Sequence, residues 1–240
     1  MHDDQAEGLR RLFARRTRRL LGIGGIGATT VVCDLARTLA GLGSRVLVID
    51  RTRGEVAKRE NARVRFDLAQ VVAGDRVLPD VLIEGRSGIV ILPAARGLDE
   101  LALGCAGTEG GWQARLSGWL ADAQRECDVW LINGLPPTGV EADVLLAVAP
   151  TAEGITAAYA QIKALAQARG QRTFGIVIER AASEAAAQAT FASIAATARR
   201  FLRAELDYRG AIPAGPAASA ARHDALLRLA HTLVPVPTFT

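Results

Sequence analysis

Apolar residues fall along this chain in two rhythms. Short continuous runs recur at 20–23, 46–49, 88–92, 128–132, 144–149 and 174–178. Between them lie longer segments in which apolar positions return every three or four residues, the period of a helix with one buried face. The run Val46-Leu47-Val48-Ile49, ending in Asp50, has no polar alternation, which suits a strand covered on both faces of a parallel sheet. The stretch 29–42, closed by Gly43, reads as a helix. Trp112, Leu116, Trp119, Leu120 and Ala123 share one helical stripe, and 183–201 opens on Ser183-Glu184 with Phe191, Ile194 and Ala198 on one face. Strand and helix alternate throughout, which predicts an α/β fold: a mostly parallel, doubly wound sheet flanked by helices. Ligands of such sheets sit beyond the carboxyl ends of the strands. The loops after Ile23, Ile49, Ile132 and Ile178 should therefore meet at one edge, and candidate chemistry belongs there.

Composition narrows the picture. Of 240 residues half are apolar and 22% are charged, within the globular range. No apolar run approaches the ~20 residues of a membrane-spanning helix. The start Met1-His2-Asp3-Asp4 is unlike a signal peptide, so a cytoplasmic protein without stable membrane insertion is expected. Cys33, Cys105 and Cys127 are odd in number and far apart, which predicts buried structural cysteines and no metal site. The net charge of +4 is unevenly placed, with Arg10, Arg11, Arg15, Arg16, Arg18 and Arg19 crowding the first segment. No interleaved aromatics or recognisable nucleic-acid motif accompany them, so no nucleic-acid partner is expected. The chain divides into an N-terminal helix with a basic linker, 1–17, and one α/β domain, 18–240.

The first candidate site is the turn between the run at 20–23 and the following helix. A phosphate-binding loop needs backbone N–H groups aimed at the anion, a lysine for the β/γ-phosphates and a Ser/Thr hydroxyl for Mg²⁺. Gly24, Gly25, Gly27, Thr29 and Thr30 are in place, but Ala28 stands where the lysine belongs. From these residues alone a phosphate cradle and a plain tight turn both remain open.

The stretch GIGGIGATT at 22–30 resembles the deviant Walker A motif of the MinD/ParA family, GKGGxGK[ST]T, with Ile23 and Ala28 replacing its two lysines. VVCDLARTLAGLGSRVLVID at 31–50 is similar to that family's first helix and second strand. Within the family the likeness is to the FlhG (FleN, YlxH) regulators of flagellar number and placement. Asp4, Gln5, Ala6, Leu9 and Arg10 fit their DQAxxLR element, and 154–163 and 206–213 resemble their C-terminal third. The resemblance implies a partner of the FlhF kind, an SRP-type GTPase stimulated through those five residues. It further implies flagellar basal-body or transcription-factor proteins as partners, and recruitment to the cell pole. A helix over 4–13 would carry Leu9, Leu12 and Phe13 on one stripe and be marginal until it meets a partner.

The departures bear on mechanism. The family's DxDxG loop reads Asp50-Arg51-Thr52-Arg53-Gly54, so Thr52 replaces the carboxylate that positions water. The Walker B aspartate is replaced by Asn133, followed by Gly134-Leu135-Pro136-Pro137, and Glu179 stands where an asparagine often reads adenine. Phosphoryl transfer relies on positioning and charge stabilisation, and these losses remove most of both. Each lost charge-assisted hydrogen bond is worth roughly 1.5–3 kcal/mol. Two missing lysine contacts thus weaken binding by about two to four decades, at ~1.4 kcal/mol per decade. Arg51, Arg53 or a leading arginine is the candidate substitute. The expectation is a pseudo-ATPase with no catalytic residue, no metal and no cofactor, ATP and Mg²⁺ being disfavoured. Its vestigial loop comprises Gly24, Gly25, Gly27, Ala28, Thr29, Thr30, Asp50 and Asn133. The alternatives are an active or weakly active MinD/ParA-type ATPase switch, and an antiactivator of a flagellar transcription factor. The segment 222–233, apolar at Ala225, Leu226, Leu229 and Leu233 but without a basic face, reads as the sheet's last covering helix.

Overall fold

In the computed structural model, which describes residues 19–137, 142–215 and 218–233, the apolar runs form the middle of one eight-stranded sheet. In chain order the elements are β1 (Arg19–Gly24), α1 (Ala28–Gly41), β2 (Val46–Asp50), α2 (Glu55–Arg59), α3 (Leu68–Val72), α4 (Leu78–Val81), β3 (Ile83–Glu84), β4 (Val90–Pro93), α5 (Gly97–Gly104), α6 (Gly111–Asp122), β5 (Val129–Asn133), β6 (Asp143–Val148), α7 (Ala152–Arg169), β7 (Thr173–Ala181), α8 (Glu184–Leu202), β8 (Glu205–Pro213) and α9 (Ser219–Leu233). The sheet order is β3-β4-β2-β5-β1-β6-β7-β8, parallel except for the antiparallel pair β3 and β4. The mostly parallel, doubly wound arrangement expected from the alternating pattern is therefore present.

The strands are apolar on both faces because both faces are covered. Val46 and Val48 of β2 pack with α1, while Leu47 and Ile49 join the opposite core against α3 to α6. Beyond β1, Val144, Leu146 and Val148 of β6 and Phe174, Ile176 and Ile178 of β7 pack under α7 and α8. α9 does cover the sheet, burying Ala225, Leu226, Leu229 and Ala230 beside α1. Helix starts follow local chemistry. Thr151 and Ser183 each accept a backbone N–H from the third residue of the helix they open, at 3.1 Å. Asp67 and Gln70 form a reciprocal capping box on α3.

The three cysteines are buried, and no disulfide joins any of them among the described residues. Burial, with a smaller push from Glu60, raises the Cys33 thiol to about 11 against the pull of Arg37 and Arg59. No helix among the described residues is long and apolar enough to cross a membrane. The apolar pattern gave no sign of β8. Among the described residues that strand pairs only with β7, and it is largely half-buried, so its residues carry little alternation. Helices α2 to α4 have four or five residues each, too short for a 3.6-residue period to register.

Candidate functional site

Parallel pairing brings the carboxyl ends of the central strands level. Asn133, the last residue of β5, lies beside both Ile23 of β1 and Asp50 of β2. The glycine loop between β1 and α1 is fixed by its neighbours. Gly25 has φ +108°, and a Cβ there would lie 2.0 Å from the carbonyl oxygen of Ala147, so only glycine fits. At Gly27 a Cβ would lie 1.9 Å from Glu179 Oε1, so the Glu179 carboxylate rests directly against the loop. Both positions that carry lysine in the resembling motif are filled by buried apolar residues. Ile23 is fully buried and Ala28 is packed into the core with Val31, Val32 and Leu35. Three amides bond back to the loop: Ala28 N–H donates to Gly25 O at 3.2 Å, and Thr30 and Val31 N–H to Gly27 O at 3.0 and 3.2 Å.

On one side of the loop the polar groups form a connected set. The fully buried Asp50 carboxylate accepts from Thr52 N–H at 3.0 Å, Thr52 Oγ1 at 2.6 Å, Val56 N–H at 3.2 Å and Asn133 Nδ2 at 3.0 Å. A carboxylate only accepts, so Asn133 must present its NH₂ group to it. The same Nδ2 donates to Thr29 Oγ1 at 3.2 Å, and the Thr29 hydroxyl donates to Glu55 Oε2 at 3.0 Å. The Asn133 amide thus lies between two oxygens, where an aspartate would place a second negative charge beside Asp50. Arg51 does not reach the loop. It donates to the Leu135 carbonyl and, at 2.6 Å, to Asp99 Oδ2, and so ties the segment after β5 to α5. Arg53 is exposed.

On the other side lies a cavity of about 470 Å³, with Ile26, Gly27, Thr30, Glu179, Arg180 and Arg222 in its wall. Ile26 is 55% exposed at the turn, whereas Glu179 is 5% exposed. Arg222 of α9 is held by Asp34 Oδ2, with Nε at 3.1 Å, and by the Pro213 carbonyl at 3.3 Å. Asp34 also pairs with Arg37 at 3.1 Å, and Arg37 binds the buried Glu60 at 2.7 Å, so α9, α1 and the end of α2 share one chain of ion pairs.

Gly24, Gly25, Gly27, Ala28, Thr29, Thr30, Asp50 and Asn133 are therefore brought together at one sheet edge. Asp4, Gln5, Ala6, Leu9 and Arg10 lie outside the described residues. Glu55, Arg180 and Arg222 had not been singled out. Only Glu55 carried a local signal, an acid at the first turn of a helix following the second-strand loop.

No family model matches the chain. Over 203 residues, 80% of this chain and 71% of the relative, it is 32% identical to the antiactivator FleN of Pseudomonas aeruginosa. Over 162 residues, 65% of this chain and 56% of the relative, it is 25% identical to the septum site-determining protein MinD of Synechocystis. Among solved structures it is similar to the MinD cell division protein of Aquifex aeolicus, with TM-score 0.61 and 23% identity over 91% of this chain and 99% of that one. It is also similar to a variant of Cyanothece McdA in complex with ATP, with TM-score 0.60 and 15% identity over 90% of this chain and 95% of that one. The structural likenesses establish the fold, and the extent of the match to FleN adds the lineage: this chain belongs to the MinD/ParA family of P-loop proteins, in its FleN/FlhG branch.

Proposed function

We propose that this chain is a flagellar regulator of the FleN/FlhG kind that acts by binding protein partners and does not hydrolyse ATP. The observation that carries this reading is the Asn133 amide, which donates to both Thr29 and Asp50 at the positions the resembling motif gives to Mg²⁺ chemistry. Asp50 already accepts four hydrogen bonds from neutral donors. The Thr29 hydroxyl is engaged by Glu55, and both lysine positions are buried and apolar. These residues do not fit Mg-ATP. The loop offers a triphosphate no side-chain cation, and it sets Glu55 and Glu179 close to where such an anion would lie.

The partner on this reading is an SRP-type GTPase of the FlhF kind, engaged through Asp4, Gln5, Ala6, Leu9 and Arg10. The purified chain is expected to show no phosphate release from Mg-ATP and the same mass by light scattering with and without nucleotide. It should stimulate the cognate GTPase, and the double substitution Gln5→Ala with Arg10→Ala should abolish that stimulation while leaving the melting temperature nearly unchanged, since surface polar changes cost under ~0.5 kcal/mol. ATP turnover or a nucleotide-driven dimer would restore the ATPase-switch reading. A parent chain without effect on the GTPase would favour a second reading, capture of a flagellar transcription factor, which the antiactivator name of the FleN relative supports.

A further inference from the structure

The surface beside α2 carries charge that plays no part in the glycine loop. Arg53, Lys58, Arg59, Arg63 and Arg65 are exposed, and within 51–65 Glu55 is the only exposed acid. The fold gathers them. At the end of α2 the chain reverses through Asn61, whose φ of +57° is left-handed, and Ala62 N–H donates to Ala57 O at 2.8 Å. The segment that follows lies back on the second-strand loop, so closely that a Cβ at Gly54 would stand 2.9 Å from Val64 Cγ2. Arg63 and Arg65, on either side of Val64, are thereby brought to the residue next to Arg53, and Val64 itself stays 41% exposed. Other arginines of this chain are held by carboxylates: Arg37 by Glu60, Arg45 by Asp128, Arg51 by Asp99 and Arg222 by Asp34. None of the five cations around Val64 has an ion pair among the described residues. Cations so crowded repel one another, and an opposing set of acids relieves that repulsion.

We propose that this surface docks an acidic segment of a protein partner, its carboxylates meeting Arg53, Lys58, Arg59, Arg63 and Arg65 and one apolar side chain resting on Val64. The preponderance of arginine suits carboxylates, which its planar fork binds through two parallel hydrogen bonds. Glu55 decides against a continuous polyanion. It lies one helical turn from Lys58 and Arg59 on the same face of α2, and its Oε2 takes the Thr29 hydroxyl, so it is fixed within the cluster. A phosphate backbone or an anionic bilayer would press charge against it, whereas separate carboxylates can be spaced around it. Single-stranded nucleic acids also call for stacking rings, and Phe66, the ring beside Arg65, is covered by the Arg76 guanidinium at 4.5 Å. A bilayer calls for an amphipathic helix, and 62–67 is not helical. This surface is separate from Asp4, Gln5, Ala6, Leu9 and Arg10, and its partner need not be the GTPase.

The test is fluorescence anisotropy on the full chain with a labelled Glu-Glu-Glu-Leu-Glu-Glu-Glu peptide. It is expected to bind saturably with a Kd below about 100 μM at low salt, and at least about threefold more weakly at ~0.15 M ionic strength, because exposed pairs are screened. The same peptide with glutamine for glutamate should not bind. Arg63→Glu with Arg65→Glu should weaken the acidic peptide by about tenfold or more with the melting temperature retained, and Arg53→Glu alone by about threefold. Val64→Ser should weaken it by about twofold. Arg115→Glu with Arg228→Glu makes the same change of net charge at exposed positions of α6 and α9, and should leave binding within about twofold of the parent. No saturable binding up to about 1 mM, equal weakening by the two double reversals, or a glutamine peptide that binds as well would each overturn the proposal. So would tighter binding of duplex DNA or of phosphatidylglycerol vesicles that the Arg63 and Arg65 reversals abolish. None of these results bears on ATP turnover or on GTPase stimulation, so the two conclusions fail separately.

Discussion

The two sides of the glycine loop solve the problem of buried polar groups in opposite ways. Toward β2 and β5, Thr29, Asp50, Thr52, Glu55 and Asn133 are joined by short hydrogen bonds, and the Asp50 carboxylate, fully buried, is saturated by donors. Toward β7 and α9, Glu179 is nearly as buried but has one arginine nitrogen at 3.9 Å. The first side is complete as a piece of scaffold. The second relies on one long ion pair. The two halves of the loop's surroundings therefore differ, one held by a dense set of hydrogen bonds and the other by a single long ion pair.

The same exchange of amide and carboxylate, run in opposite directions, breaks this comparison most sharply. Asn133→Asp should give the largest effect. It removes the donor from Asp50 and adds a second carboxylate about 3 Å away, a buried uncompensated charge that costs roughly 3–5 kcal/mol. Beside Asp50 the introduced carboxyl has its folded-state affinity for a proton raised, so the loss should be present at neutral pH and shrink as pH falls through that raised value. Denaturant melts at neutral and mildly acidic pH measure it. An undiminished stability at neutral pH would mean that the Asp50 side is not closed.

Glu179→Gln should do the reverse on the other side. Removing a poorly partnered buried charge is expected to leave stability within about 1 kcal/mol of the parent or to raise it slightly. A large loss would show that Glu179 serves the fold, and the contrast between the two halves would fail.

The smallest effect belongs to Cys33 on α1, which the loop precedes. Its thiol is raised to about 11 from an ordinary 9.0, chiefly by burial. Because the folded value is the higher one, this contribution to stability is full below the unfolded pKa and is lost as pH rises from about 9 to about 11. Native protein at about pH 8 should therefore resist alkylation at Cys33, with reactivity appearing on unfolding.

Much of the framework was legible along the chain. The run ending at Asp50 announced a strand covered on both faces because four consecutive apolar residues leave no face for water, and β2 has every residue buried. The glycines of the loop were visible, as was the absence of lysine at 23 and 28. β8 was not, since an edge strand with one neighbour and half-buried residues shows no strong alternation. Nor could spacing reveal that Arg51, two residues from Arg53, is spent on Asp99 and the Leu135 carbonyl.

The sequence by itself determined the layered α/β fold, the position of the glycine turn and its departures from the resembling motif at Ile23, Ala28, Thr52 and Asn133, because these depend on periodicity and on which side chains exist. The tertiary structure decided what those residues touch. Asn133 and Asp50 are 83 residues apart and meet only because β5 pairs with β2. Glu179 reaches Gly27 from across the sheet, and its placement with Arg180 on one wall arises from a shift in register against β8 that no local pattern encodes. Hydrogen bonds between distant strands are fixed by pairing and backbone irregularity, and these come into being only when the chain has folded.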